Sequence, residues 1–156
     1  MSLIILIKTL HVIGATVLLG TGVGIAFFMV MADRTRDARL IAHTAGVVVV
    51  ADVLFTATAI VLQPITGVAL VALEGQPLTQ AWILLSLALY GLAGVFWLPV
   101  VWMQLRMRDL ARAAAAAGEP LPPAYHRLYR IWFAFGFPAF TAVLAIIWLM
   151  VAKPSL

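Results

Sequence analysis

Three ionisable side chains stand inside otherwise apolar stretches of this chain, and they are its main chemical resource: Lys8, His11 and Asp52. In a low-dielectric interior, an imidazole and a carboxyl group can relay a proton, orient one another, or hold a polar ligand or a metal. An ionisable group at the centre of a bilayer costs about 2.5 to 3.5 kcal/mol on insertion scales, so each one retained there is a functional candidate. Tyr90 adds a hydroxyl donor. At ~1.5 Å per residue, Asp52 lies about 18 Å from Leu40, Tyr90 about 24 Å from Arg106 and His11 about 30 Å from Met31, which puts all three in the same half of the structure.

Helical periodicity groups them further. Asp52, Thr56 and Gln63 share one face of their helix; Ser86, Tyr90, Ala93, Trp97 and Gln104 share another; Lys8, His11, Ala15 and Gly22 share a third. The expectation is a polar, partly roomy cavity in the outer half of the bundle. His11 would serve there as ligand or proton acceptor, Asp52 as orienting carboxylate and Tyr90 as hydrogen-bond donor, with Lys8 at its rim. The same residues also fit a purely structural reading in which Asp52 hydrogen-bonds Tyr90, Thr56 or His11 and holds the helices together.

A second constellation lies at the opposite end, where His43 and His126 begin two helices at similar depth, near Arg127 and Arg130. Two imidazoles facing each other suit a b-type haem, and arginines suit its propionates, so His43, His126 and Arg130 are candidate cofactor contacts. Against this, His43 is nine residues from Asp52 and so faces the other way on a regular helix, and interfacial histidines commonly contact headgroups. His11 and His43 are separated by about 20 to 25 Å along the membrane normal and cannot share one iron. A single-histidine haem at His11 remains allowed, which makes His11 the candidate metal ligand.

The elements that must position these groups are four long apolar runs. The chain has 156 residues, of which 65% are hydrophobic, and a mean hydropathy of +1.11, well beyond soluble composition. The spans are read as residues 3–31; 40–63, with a break near Pro64 and an apolar continuation to 73; 81–105; and 125–152. The third extends helically through the alanine tract to Gly118, and Pro138 kinks the fourth. One membrane domain covering 1–156 follows: all-α, an antiparallel transmembrane four-helix bundle. Arg34, Arg36 and Arg39 in the first loop, and Arg106, Arg108, Arg112, Arg127 and Arg130 around the third, contrast with a second loop free of positive charge. Both termini are therefore expected outside and the two arginine-rich loops in the cytoplasm. Gly14, Gly20, Gly22 and Gly24 could let another helix approach the first span closely, and Gly20 with Gly24 forms a GxxxG pair; this is read first as packing within the monomer and second as a route to a homo-oligomer.

Composition excludes much else. With no Cys there are no disulfides, thiolate metal sites, iron–sulfur clusters or c-type haem attachment. The net charge of +4 sits beside apolar runs, so the expected partner is a lipid bilayer with anionic headgroups and not nucleic acid. GTGVG at 20–24 is embedded in an apolar helix and does not read as a phosphate loop. The methionines do not form the dense clusters of copper carriers.

The stretches WLPVVWMQLRMRDLA at 97–111 and YRIWFAFGFPAFTAVLAIIWLMVAKP at 129–154, with IKTLHVIGA at 7–15, resemble a family of uncharacterised bacterial four-span membrane proteins, the family of unknown function numbered two-two-six-nine. Trp97, Pro99, Trp102, Gln104, Pro138, Lys153 and Pro154 carry that resemblance, which implies a multi-pass protein of the bacterial inner membrane. More distantly, Lys8 and His11 together with Val151 to Pro154 are similar to haem-binding membrane protoporphyrinogen oxidase and to copper-resistance membrane domains. That similarity implies His11 as an iron ligand or proton carrier and Lys8 and Lys153 near an anionic tetrapyrrole or quinone. The apolar residues after His11 depart from the oxidase's aromatic-rich pattern.

Three functions follow as expectations. The first is a small redox protein, an oxidoreductase in one version, binding b-type haem or a quinone-like or porphyrin-like hydrophobic small molecule in the bundle. The second is a proton-coupled transporter component, which with four spans needs an oligomer. The third is a structural or accessory membrane subunit.

Overall fold

The structure is a computed structural model and describes residues 2–154. Its elements are α1 (Leu3–Thr35), α2 (Ala38–Ala51), a π-helical segment (Asp52–Ala57), α3 (Thr58–Leu73), α4 (Ala81–Ala117) and α5 (Pro123–Ala152). Four helical runs, Leu3–Thr35, Ala38–Leu73, Ala81–Ala117 and Pro123–Ala152, are long and apolar enough to cross a membrane. The chain is an all-α membrane bundle of four spans. At ~1.5 Å per residue each run exceeds the ~30 Å hydrocarbon thickness, so the ends stand in the headgroup layers.

Local chemistry fixes the turns. The Asp37 carboxylate caps α2, accepting from the backbone N–H of Arg39 at 2.8 Å and Leu40 at 3.4 Å, and satisfies donors the first turn would leave open. Gly118 ends α4 at φ 68, a left-handed conformation that glycine adopts without steric cost, and Pro122 and Pro123 then start α5.

Pro64 lies inside α3, and helical conformation continues through it without interruption, where a kink or break is expected from the sequence. Proline removes the donor to the carbonyl four residues back, which is Ile60. The Tyr90 hydroxyl donates to that carbonyl from α4, so the freed acceptor is satisfied and the helix carries on. The departure from α geometry falls earlier, at Asp52–Ala57, where one extra residue is accommodated in the turn.

The interior differs between the two ends. At the arginine-rich end it is mainly apolar: Met29, Ile41, Met107 and Tyr125 are fully buried and pack with Ala45, Val48, Met103 and Trp132, and Gln104 is buried at the same end. Toward the end that carries both termini Ile83 and Leu149 are buried alongside a group of polar or small residues: His11, Gly14, Gln63, Thr66 and Ser86. There α3 packs chiefly on α1, and α4 packs along α5.

On α1 the buried positions are His11, Gly14, Ile25, Met29 and Ala32, and Gly22 is exposed. The expected stripe from His11 to Gly22 used the eleven-residue repeat of a straight helix. Coiling bundles follow a shorter repeat near 3.5, which carries the seam to Ile25 instead. A Cβ at Gly20, Gly22 or Gly24 would meet nothing within 4 Å, so helix packing within the monomer does not use the GxxxG pair.

Candidate functional site

The second span presents one continuous interior stripe. Asp52, Thr56, Ala59, Gln63 and Thr66 are all buried, at alternating spacings of four and three, which is the seam of a bundle helix. The stripe carries two distinct polar clusters.

The first cluster joins α1 to α3. His11 Nδ1 lies 2.7 Å from Thr66 Oγ1, and Gln63 Nε2 donates to the His11 backbone carbonyl at 2.9 Å. Thr66 Oγ1 also donates to the Leu62 carbonyl at 2.8 Å. With its single proton on Leu62, the hydroxyl accepts from Nδ1–H, and the imidazole lone pair then resides on Nε2. Two glycines allow this close approach. A Cβ on Gly14 would collide with Gln63 Nε2, and one on Gly67 would stand 3.3 Å from His11 Cε1. Gly14 is one of the small residues of the first span expected to admit a neighbouring helix, whereas the parts played by Thr66 and Gly67 were missed in the sequence, although Thr66 continues the spacing from Gln63 by three.

The second cluster surrounds Asp52, which is 4% exposed. Thr56 and Trp97 flank its carboxyl group. Yet Asp52 Oδ2, Thr56 Oγ1 and Trp97 Nε1 are each shielded and complete no hydrogen bond of normal geometry, and Gln104 Oε1 on the same face of α4 is likewise unpartnered. Among the described residues no Lys or Arg forms an ion pair with Asp52. Asp52 also opens the π-helical segment, its N–H shared between the Val48 and Val49 carbonyls.

The sequence grouped His11 with Asp52, and the structure sets them apart. His11 meets residues 63 and 66, eleven and fourteen positions beyond Asp52, or about 16 to 21 Å along the helix at ~1.5 Å per residue. Tyr90 engages the Ile60 carbonyl and neither of them. Lys8 does not enter the interior: its Nζ is 2.8 Å from Glu74 Oε1, and Lys153 Nζ is 3.8 Å from Glu74 Oε2 and 5.6 Å from the Trp82 ring centre. One carboxylate thus ties the start of α1 and the end of α5 to the end of α3. The Lys8 ammonium holds Glu74 below the usual carboxylate range, mainly through the hydrogen bond.

At the arginine-rich end, His43, His126 and Arg130 are exposed on the outer surface of the bundle. His126 sits edge-on to Tyr125, and His43 lines an open groove with Arg112. No group of three or more His, Asp or Glu able to hold a metal occurs among the described residues. A bis-histidine haem between His43 and His126 does not fit side chains placed on the outside, and His11 alone of the three histidines is buried.

Taken together, these features define a multi-pass integral membrane protein: a four-span helical bundle with a polar interior stripe on its second span. The chain belongs to the DUF2269 family of predicted integral membrane proteins, whose model matches residues 5–154. No curated protein and no solved structure matches it.

Proposed function

We propose that this protein is a proton-exchanging subunit of a membrane transport assembly, in the bacterial inner membrane, with Asp52 as the group that takes up and releases the proton. One observation carries the reading: a carboxyl group in mid-span, almost wholly buried, with Thr56 and Trp97 beside it but short of normal hydrogen-bond geometry, at the start of a π-helical segment. A structural carboxyl group would be expected to complete its hydrogen bonds, because a half-satisfied buried network is costly. π-Helical turns recur at functional sites, and conversion to α geometry would rotate α3 against α2. Proton arrival at Asp52 would thereby reach Gln63 and Thr66, and through them His11. Four spans provide only part of a translocation path, so a second copy or a partner completes it.

Infrared difference spectroscopy of the protein in lipid tests this. The carboxyl C=O band of Asp52, identified by its loss in Asp52→Asn, exchanges with deuterium within seconds and titrates with bulk pH, and Asp52→Asn lowers proton uptake into pyranine-loaded proteoliposomes. A band that resists exchange for hours would sink the reading in favour of a static structural carboxyl.

A second reading is favoured by the His11 ring, which is buried with Nδ1 engaged by Thr66, so that a bond to a ligand would fall to Nε2. Bound there, b-type haem or a quinone-like molecule would supply electron transfer. His11 would hold it, and Thr66 would set the tautomer. Oxidised and dithionite-reduced absorption spectra decide: a Soret band lost in His11→Ala supports it, and no band in protein from haem-replete cells removes the haem version.

A further inference from the structure

The open groove at the arginine-rich end has a composition that changes with depth. It occupies about 420 Å³ and is lined by Ala42, His43, Gly46, Val47, Val50 and Arg112. His43 is near the start of α2, and Val47 and Val50 stand four and seven residues further in, about 6 to 10 Å deeper in the bilayer at ~1.5 Å per residue. Arg112 reaches this groove from α4. Its guanidinium lies against the α2 backbone, where a Cβ on Gly46 would stand only 3.3 Å from Nη2. Arg108, one turn earlier, is paired with Asp109 at 2.8 Å, whereas Arg112 forms no ion pair among the described residues. A cation and an imidazole thus crown a slot whose deeper walls are valine.

We infer that this groove binds one anionic phospholipid, its phosphate held by Arg112 and His43 and an acyl chain laid along Val47 and Val50. The guanidinium offers paired N–H donors suited to phosphate oxygens, and the apolar floor suits a hydrocarbon tail, so charge and shape together match that ligand. A zwitterionic lipid brings the same tail with a compensating cation that Arg112 repels. A second groove on α5 repeats the plan, with Arg127 and Arg130 above Ile131, Ala134 and Phe135. By the distribution of arginines these grooves open to the cytoplasmic leaflet.

Native mass spectrometry of the full-length protein, titrated with phosphatidylglycerol and separately with phosphatidylcholine, tests the assignment. Phosphatidylglycerol is expected to bind more tightly. Arg112→Gln lowers its affinity about fivefold or more, from the ~1 kcal/mol that one arginine contributes near a membrane surface. Val50→Trp, which fills the exposed tail slot and leaves the cation in place, lowers it as well, while Arg106→Gln, six residues away on the other face of α4, leaves it unchanged. Equal affinity for the two lipids, or an Arg112→Gln variant that binds phosphatidylglycerol like the wild type, overturns the proposal. So does a loss of bound lipid to inorganic phosphate with no effect of Val50→Trp, which would make the groove a site for a free anion.

Discussion

Gly14→Ala measures how much the polar contact between α1 and α3 contributes. The new methyl group would occupy the position of Gln63 Nε2, and the carboxamide can withdraw only by giving up its bond to the His11 carbonyl. Hydrogen bonds between membrane helices average about 0.6 kcal/mol and reach about 1.7. Forcing an extra carbon into a packed contact adds about 1 kcal/mol or more. Against this stands the gain of alanine over glycine in a helix, about 0.5 to 1 kcal/mol. A net loss of about 1 to 2 kcal/mol follows. In a Gln63→Ala background the collision disappears, and Gly14→Ala becomes neutral or stabilising. The double-mutant cycle should therefore return a coupling of about 2 kcal/mol, measured by tryptophan fluorescence during reversible unfolding in mixed micelles. Additive effects within about 0.5 kcal/mol would refute the reasoning, because residues that do not touch are the ones that add.

Tyr90→Phe leaves the Ile60 carbonyl without a donor and should cost about 1 kcal/mol in the same assay, while Pro64→Ala, which restores an N–H to that carbonyl, should make Tyr90→Phe nearly harmless; an equal cost of Tyr90→Phe in both backgrounds disproves the pairing. The Glu74 carboxyl is held below its ordinary value in the folded chain, so its stabilising contribution is present above the unfolded pKa of about 4.3 and is lost as pH falls through the lower folded value. Wild type should therefore melt above Glu74→Gln near neutrality and converge with it in acid. The gap should be small and shrink with salt, since both lysines are about half exposed, and a gap independent of pH rejects the Lys8–Glu74–Lys153 clamp.

Much of this architecture was legible in the residues, because lipid demands long apolar helices and the arginines mark their ends. Interior faces were legible where the seam runs through polar groups. Asp52, Thr56 and Gln63, and Ser86 with Gln104, are buried as their spacing requires. What failed was extrapolation along α1, whose repeat drifts with coiling, and the meeting of His11 with Asp52. Depth along a helix counts residues well, but which partner lies opposite depends on how far two helices slide past one another. Nothing in the sequence reports that slide. Glu74 shows a different omission: it is the only acidic residue in its loop, with Lys8 and Lys153 expected at the same end, so charge pairing alone pointed to the clamp. The π-helical segment has no signature in its residues DVLFTA.

The unequal halves of the interior bear on how such a bundle could work. Apolar packing at the arginine-rich end is dense and has few alternative arrangements, since methionine, isoleucine and tyrosine side chains interlock. Polar contacts at the terminal end can exchange one partner for another. Thr66 already faces two carbonyls, Leu62 at 2.8 Å and Gln63 at 3.2 Å, along with an imidazole. Asp52 and the π-helical turn fall between these regions, where a rigid half hands over to an adaptable one. A change of charge there has a firm support below and, above it, a helix that packs chiefly on α1 through exchangeable polar contacts. That arrangement favours motion of the terminal half about Asp52 over movement of the whole bundle, and it places His11 on the part that responds.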